Sequence, residues 1–143
     1  MNDNRFISIK ISNACALLLI SLLLYASITK LFEYDTFIQQ LSLSPFFSKG
    51  WIGIIAVLVL TVEIVIATLF LFPQTKNIAF MSSLCLLTSF TVYIHIIQYS
   101  EFIPCSCGGI LGRLTWNAHI IFNIVFIIIS FIGYYFNDSK TTS

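Results

Sequence analysis

The chain has 143 residues, of which 58% are hydrophobic and only 9% charged, whereas an ordinary soluble domain is about one quarter charged. One short core cannot hide that much apolar surface from water, which excludes a soluble globular domain and leaves lipid as the surrounding medium. A net charge of +1 provides neither a basic surface for nucleic acid nor an acidic tail.

A transmembrane helix needs about 20 consecutive, mostly apolar residues. Four segments meet that demand: Ile11 to Phe32, Trp51 to Phe72, Ile78 to Tyr99 and Asn117 to Phe136. The expected fold is all-α, a single membrane domain over 1–143 built as a bundle of four transmembrane helices. Arg5 and Lys10 before the first apolar run, with small Ala26 and Ser27 later, overlap the pattern of a secretory signal. The run is long enough to span, and three more spans follow, so it reads as an uncleaved helix.

The breaks are clear. Glu33 to Gly50 holds charges, Gln39, Gln40 and a Ser44-Pro45 step, punctuated by Phe37, Leu41, Leu43, Phe46 and Phe47. Such a loop is expected to lie flat on the membrane or dip into the bundle. Pro73-Gln74-Thr75-Lys76 is a tight polar turn, which makes the second and third spans antiparallel neighbours. Glu101 to Thr115 carries Pro104, Gly108, Gly109, Gly112 and Arg113, and Asn137 to Ser143 is a polar end expected to fray. Trp51, Tyr99 and Trp116 sit at span ends, where amphipathic rings prefer the headgroup layer. With four spans both termini share a side. Arg5, Lys10, Lys76 and Lys140 fall there, against Lys30, Lys49 and Arg113 opposite, a narrow bias that puts both termini in the cytoplasm.

The sharpest chemical feature is Pro104-Cys105-Ser106-Cys107-Gly108-Gly109. Two cysteines one residue apart can close only a very small, strained disulfide ring, and strained, exposed disulfides are the exchangeable ones. Proline stiffens one flank and the glycines let the other turn. Arg113 nearby would favour the thiolate of the reduced pair. Cys105 and Cys107 are therefore candidate catalytic residues for thiol–disulfide exchange. Two alternatives stay open: a loop with no catalytic use, or a zinc or copper site made by Cys105, Cys107, His95 and His119. The histidine and cysteine spacing matches no standard zinc motif.

Trp116, His119 and Asn123 follow at i, i+3 and i+7, one stripe of the fourth span. Polar groups at membrane depth face the bundle interior, so this stripe is expected to point inward and to contact a quinone head or a substrate segment, or to hydrogen-bond between helices. Glu63 is the one acidic residue well inside a span, a candidate proton relay or an interhelical hydrogen-bonding group. Thr61 and Thr68 add polarity to its helix. Lys30 ends the first span and is expected to snorkel to the surface. Cys15 and Cys85, alone in apolar runs, are expected to be small interior packing groups, with a second redox pair as the alternative.

Four spans, the stretch Ala26-Ser27-Ile28-Thr29-Lys30-Leu31-Phe32 before a charged loop, and Glu63 in the second span resemble the DoxX-like membrane proteins. Cys105-Ser106-Cys107-Gly108-Gly109 ahead of the fourth span resembles the methylamine utilisation protein MauE family, in which a cysteine–x–cysteine–glycine loop follows the third span. The resemblance covers Ile11 to Phe136. It implies a multi-pass protein of the bacterial inner (plasma) membrane that assists processing, transport or disulfide formation of the exported, disulfide-rich small subunit of methylamine dehydrogenase. The partners implied are lipid, a thioredoxin-like periplasmic protein and an exported client, with no nucleic acid.

Three functions compete at this point. One is a membrane thiol–disulfide oxidoreductase passing electrons to a quinone or a second protein. Another is a metal-binding or metal-transfer protein using the cysteine and histidine set. The third is a structural DoxX-like subunit of a quinone-linked oxidoreductase complex. No phosphate-binding loop and no Ser/His/Asp arrangement is visible, so phosphoryl transfer and hydrolysis are not expected.

Overall fold

The computed structural model describes residues 2–44, 46–98 and 116–138. Among them the chain is helical with no strand: α1 (Asn2–Phe32), α2 (Tyr34–Leu43), α3 (Ile52–Leu69), α4 (Lys76–Gln98) and α5 (Trp116–Asp138). All but α2 are long and apolar enough to cross a membrane. Only 22% to 33% of each apolar stretch is buried within the bundle, so the rest of each helix surface must face lipid. Leu17, Val57, Leu58, Ile121 and Phe131 are among the large side chains pointing outward. Hydroxyls on that outer surface are satisfied locally. Thr61 donates to the Val57 carbonyl at 2.7 Å and Thr68 to the Ile64 carbonyl at 2.8 Å, each closing on its own preceding turn.

α1 begins nine residues earlier than its apolar run. Asn2 to Lys10 contains no proline or glycine, Asp3 lies in the first turn where the helix dipole favours an anion, and Lys10 packs 4.4 Å from the Phe6 ring centroid. At about 1.5 Å per residue, this helix is longer than the ~30 Å hydrocarbon layer, so its polar start extends past the apolar region.

The four long helices form a ring in the order α1, α3, α4, α5. α1 packs on α5 along one side and on α3 along the other, and α4 lies most closely against α5. α3 and α4 are neighbours across their short connection, but their contact is slighter than that of α4 with α5. The connection is held by Thr75, whose hydroxyl donates to the Leu69 carbonyl at 2.6 Å and whose carbonyl receives the Ala79 N–H at 2.9 Å. The core at this end of the bundle joins Cys15, Ala16, Leu19, Ile66, Phe70, Ala79 and Phe80. Phe70 meets Phe80 edge to face, with centroids 4.9 Å apart. Gly133 allows a close approach: a β-carbon there would run into the Phe80 ring and lie 3.0 Å from Cys15 Cβ.

Of the polar end Asn137 to Ser143, expected to fray, the first two residues are helical, and 139–143 lie outside the described residues. α5 continues to Asp138, and Asn137 is buried. Its amide oxygen accepts from the Ser12 hydroxyl at 3.2 Å and its amide nitrogen donates to Asn77 Oδ1 at 2.5 Å, tying α5 to α1 and α4. Lys76 donates to Asn13 Oδ1 at 2.7 Å beside this clasp. The hydrogen bonds supply the order that the residue types alone do not suggest.

At the opposite end, the first loop folds as α2. Tyr34, Phe37, Ile38 and Leu41 recur at i, i+3, i+4 and i+7, an apolar stripe. It packs on Ile52, Ala56 and Ile55 of α3, so the loop docks against the bundle. Ser44 ends the helix in an extended conformation, the one favoured ahead of Pro45.

Candidate functional site: a cavity among all five helices

The core-facing stripe of α1 runs Ser12, Ala16, Leu19, Leu23 and Ser27, and Lys30 is the next position on it. In α3 the corresponding stripe runs Ile52, Ala56, Leu60 and Glu63. The two stripes meet at their polar members. Glu63 is 1% exposed; its Oε1 forms an ion pair with Lys30 Nζ, and its Oε2 accepts from the Ser27 hydroxyl at 3.0 Å. The expectation that Lys30 snorkels to the surface is thus corrected. Its partner lies inside the bundle, and its side chain is only 21% exposed. The same ammonium sits 4.9 Å from the Phe90 ring centroid on α4 and 5.8 Å from that of Phe37 on α2, so its charge is held by a carboxylate and two aromatic faces.

This ion pair lines a cavity of about 420 Å³. Every helix contributes: Lys30 from α1, Phe37 and Gln40 from α2, Glu63 from α3, Phe90 and Tyr93 from α4, and His119 and Asn123 from α5. Most of the remaining wall is aliphatic. His119 and Asn123 are each 7% exposed and lie one turn apart on the inward side of α5. Both ring nitrogens of His119 are buried, and neither has a hydrogen-bond partner among the described residues. A buried imidazole is costly to leave without a partner.

Other sequence candidates fall elsewhere. Cys105 and Cys107 lie outside the described residues, as does the side chain of Trp116, the first residue of α5. His95 is exposed on α4 while His119 faces the cavity. Among the described residues no group of three or more His, Cys, Asp or Glu side chains gathers as a metal set. Cys15 and Cys85 are free thiols. The interior packing expected of both holds for Cys15 alone; Cys85 is exposed, on an outer groove of α4 shared with Phe46, Met81 and Val92. Gln40 and Phe90 belong to the cavity and Ser27 bonds the carboxylate of Glu63, and none of the three roles is legible in the sequence. The helical spacing that carries Ser27 and Lys30 on the core stripe of α1 is the signal that could have found those two.

A family model described as methylamine utilisation protein MauE matches residues 8–136, which includes every cavity residue and the Cys105–Cys107 segment. The chain belongs to the MauE family. No curated protein and no solved structure matches it. In this MauE-family chain α4 stops and α5 starts at the same end of the bundle as the cavity, and Cys105 and Cys107 fall between these two helices in the sequence.

Proposed function

We propose that this MauE-family protein is a thiol–disulfide oxidoreductase of the bacterial inner membrane that serves the maturation of exported proteins, with Cys105 and Cys107 as the exchanging pair. What supports this reading is that Cys105 and Cys107 lie in the sequence between Gln98 and Trp116, the ends of two helices that line a mostly apolar cavity with a polar pole. In the family, the client implied is the disulfide-rich small subunit of methylamine dehydrogenase; a thioredoxin-like periplasmic protein is the alternative partner.

A client thiolate attacks one sulfur of the Cys105–Cys107 disulfide and forms a mixed disulfide, releasing the other cysteine as a thiolate. The client's second thiolate displaces the mixed disulfide, leaving the client oxidised and the pair reduced by two electrons. Those electrons then pass to an acceptor, a quinone or a second protein, and Glu63, His119 and Asn123 serve the accompanying protons or contact the acceptor.

Orientation supports the same reading. Lys30 is neutralised inside the bundle by Glu63, so it no longer counts as a flanking charge. Arg5, Lys10, Lys76 and Lys140 then stand against Lys49 and Arg113, which strengthens the case for cytoplasmic termini and an outward-facing cysteine segment. Replacing Cys105 or Cys107 by serine, each alone, is expected to abolish oxidation of the client's thiols in cells. Unchanged client disulfides in both variants would sink the proposal.

A further inference from the structure

We infer that the cavity is a binding site for the head ring of a lipid-soluble quinone, held at its carbonyl oxygens by His119 and Asn123. As an account of electron flow this rests on the disulfide-exchange reading; as a binding site it stands on the cavity alone. The observations are the two ring nitrogens of a buried His119, which have no hydrogen-bond partner among the described residues, the neighbouring Asn123, and a cavity of about 420 Å³ walled by aliphatic side chains with Phe37, Phe90 and Phe122. Small-molecule sites typically occupy roughly 300–1,000 Å³, mostly apolar with a few placed polar groups.

Charge narrows the ligand class. Lys30 is matched by Glu63, so the polar pole offers no unbalanced cation for a phosphate or carboxylate headgroup. Glu33, the other carboxylate of the lining, is exposed and already engaged, so it is not a buried anion held for an amine. A plain acyl chain would leave the His119 nitrogens without partners. A neutral, flat ring with oxygen atoms on its rim meets both requirements and stacks against the aromatic walls. Imidazole and carboxamide each contain a donor and an acceptor. They can donate to the two carbonyls of the oxidised ring or accept from the two hydroxyls of the reduced one, so both redox states find partners in the same place. The reaction then closes: the reduced Cys105–Cys107 pair gives up two electrons and two protons and becomes a disulfide, while the quinone becomes its hydroquinone.

The test uses the full chain purified in detergent, titrated with menadione and with decylubiquinone, and read by calorimetry. Saturable binding of at least one quinone is expected, weakened roughly tenfold by His119→Leu, the loss of about one hydrogen bond to a ligand, and less by His119→Gln. The double variant Cys105→Ser/Cys107→Ser should bind as tightly as the unchanged protein. Monodisperse elution of each variant shows that it is folded. Absence of saturable binding, binding indifferent to both His119 changes, or equal binding of dodecanol would each overturn the inference. Quinone binding without client oxidation would leave it standing and remove the exchange reading instead.

Discussion

Lys30, in the last turn of α1, closes an ion pair with Glu63, which lies 1% exposed inside α3. The pair joins two helices whose polar members are 33 residues apart in sequence, and the Ser27 hydroxyl fills the second carboxylate oxygen. Two charges at membrane depth are tolerable because each cancels the other.

Removing one partner strands the other. Lys30→Met or Glu63→Leu alone should cost about 3–5 kcal/mol, whereas the double variant should be close to neutral, since an apolar pair of similar volume replaces a buried ion pair with little loss. Thermal unfolding in detergent of the two single variants and the double variant checks this. Additive losses would show that the two side chains act independently.

Gly133→Ala should destabilise the bundle by about 1–3 kcal/mol, the usual cost of forcing a methyl into a filled core. The added carbon meets the Phe80 ring and Cys15. Phe80→Leu in the same chain should recover part of the loss, because it removes the ring that the methyl strikes. Equal melting temperatures for Gly133→Ala and the unchanged protein would mean that α4 and α5 are not so closely apposed.

Asn137→Ala removes the residue that bonds both Ser12 and Asn77. Interhelical hydrogen bonds in membrane proteins average about 0.6 kcal/mol and reach about 1.7 kcal/mol. Two bonds lost together should therefore lower stability measurably in the same unfolding assay while leaving quinone binding untouched, since the clasp lies at the end of the bundle away from the cavity. A parallel loss of binding would mean that the two ends are coupled.

The four spans are legible because a run of about 20 apolar residues matches the thickness of the hydrocarbon layer and has little place in a soluble fold. Helix α2 is harder to read. Its apolar side chains are visible, but whether they meet lipid or protein depends on α3 lying beneath them. Glu63, His119 and Asn123 stand out as polar groups in apolar runs, and all three line the cavity. Lys30 reads wrongly because its position at a span end matches snorkelling, and only the tertiary contact with Glu63 distinguishes that from an inward turn. Asn137 resembles a frayed end for a similar reason: its partners, Ser12 and Asn77, are remote in sequence. Cys105 and Cys107 remain a reading of the sequence, carried by their spacing and by the family.

The most direct test of the central claim is thiol labelling of Cys105 and Cys107. In a Cys15→Ala/Cys85→Ala background, intact cells would be treated with a membrane-impermeant maleimide before and after mild reduction, and labelling scored by gel shift. Labelling that appears only after reduction is the predicted result, the signature of an outward-facing, reducible disulfide. Labelling only in opened membranes would place the pair on the cytoplasmic side and contradict the account.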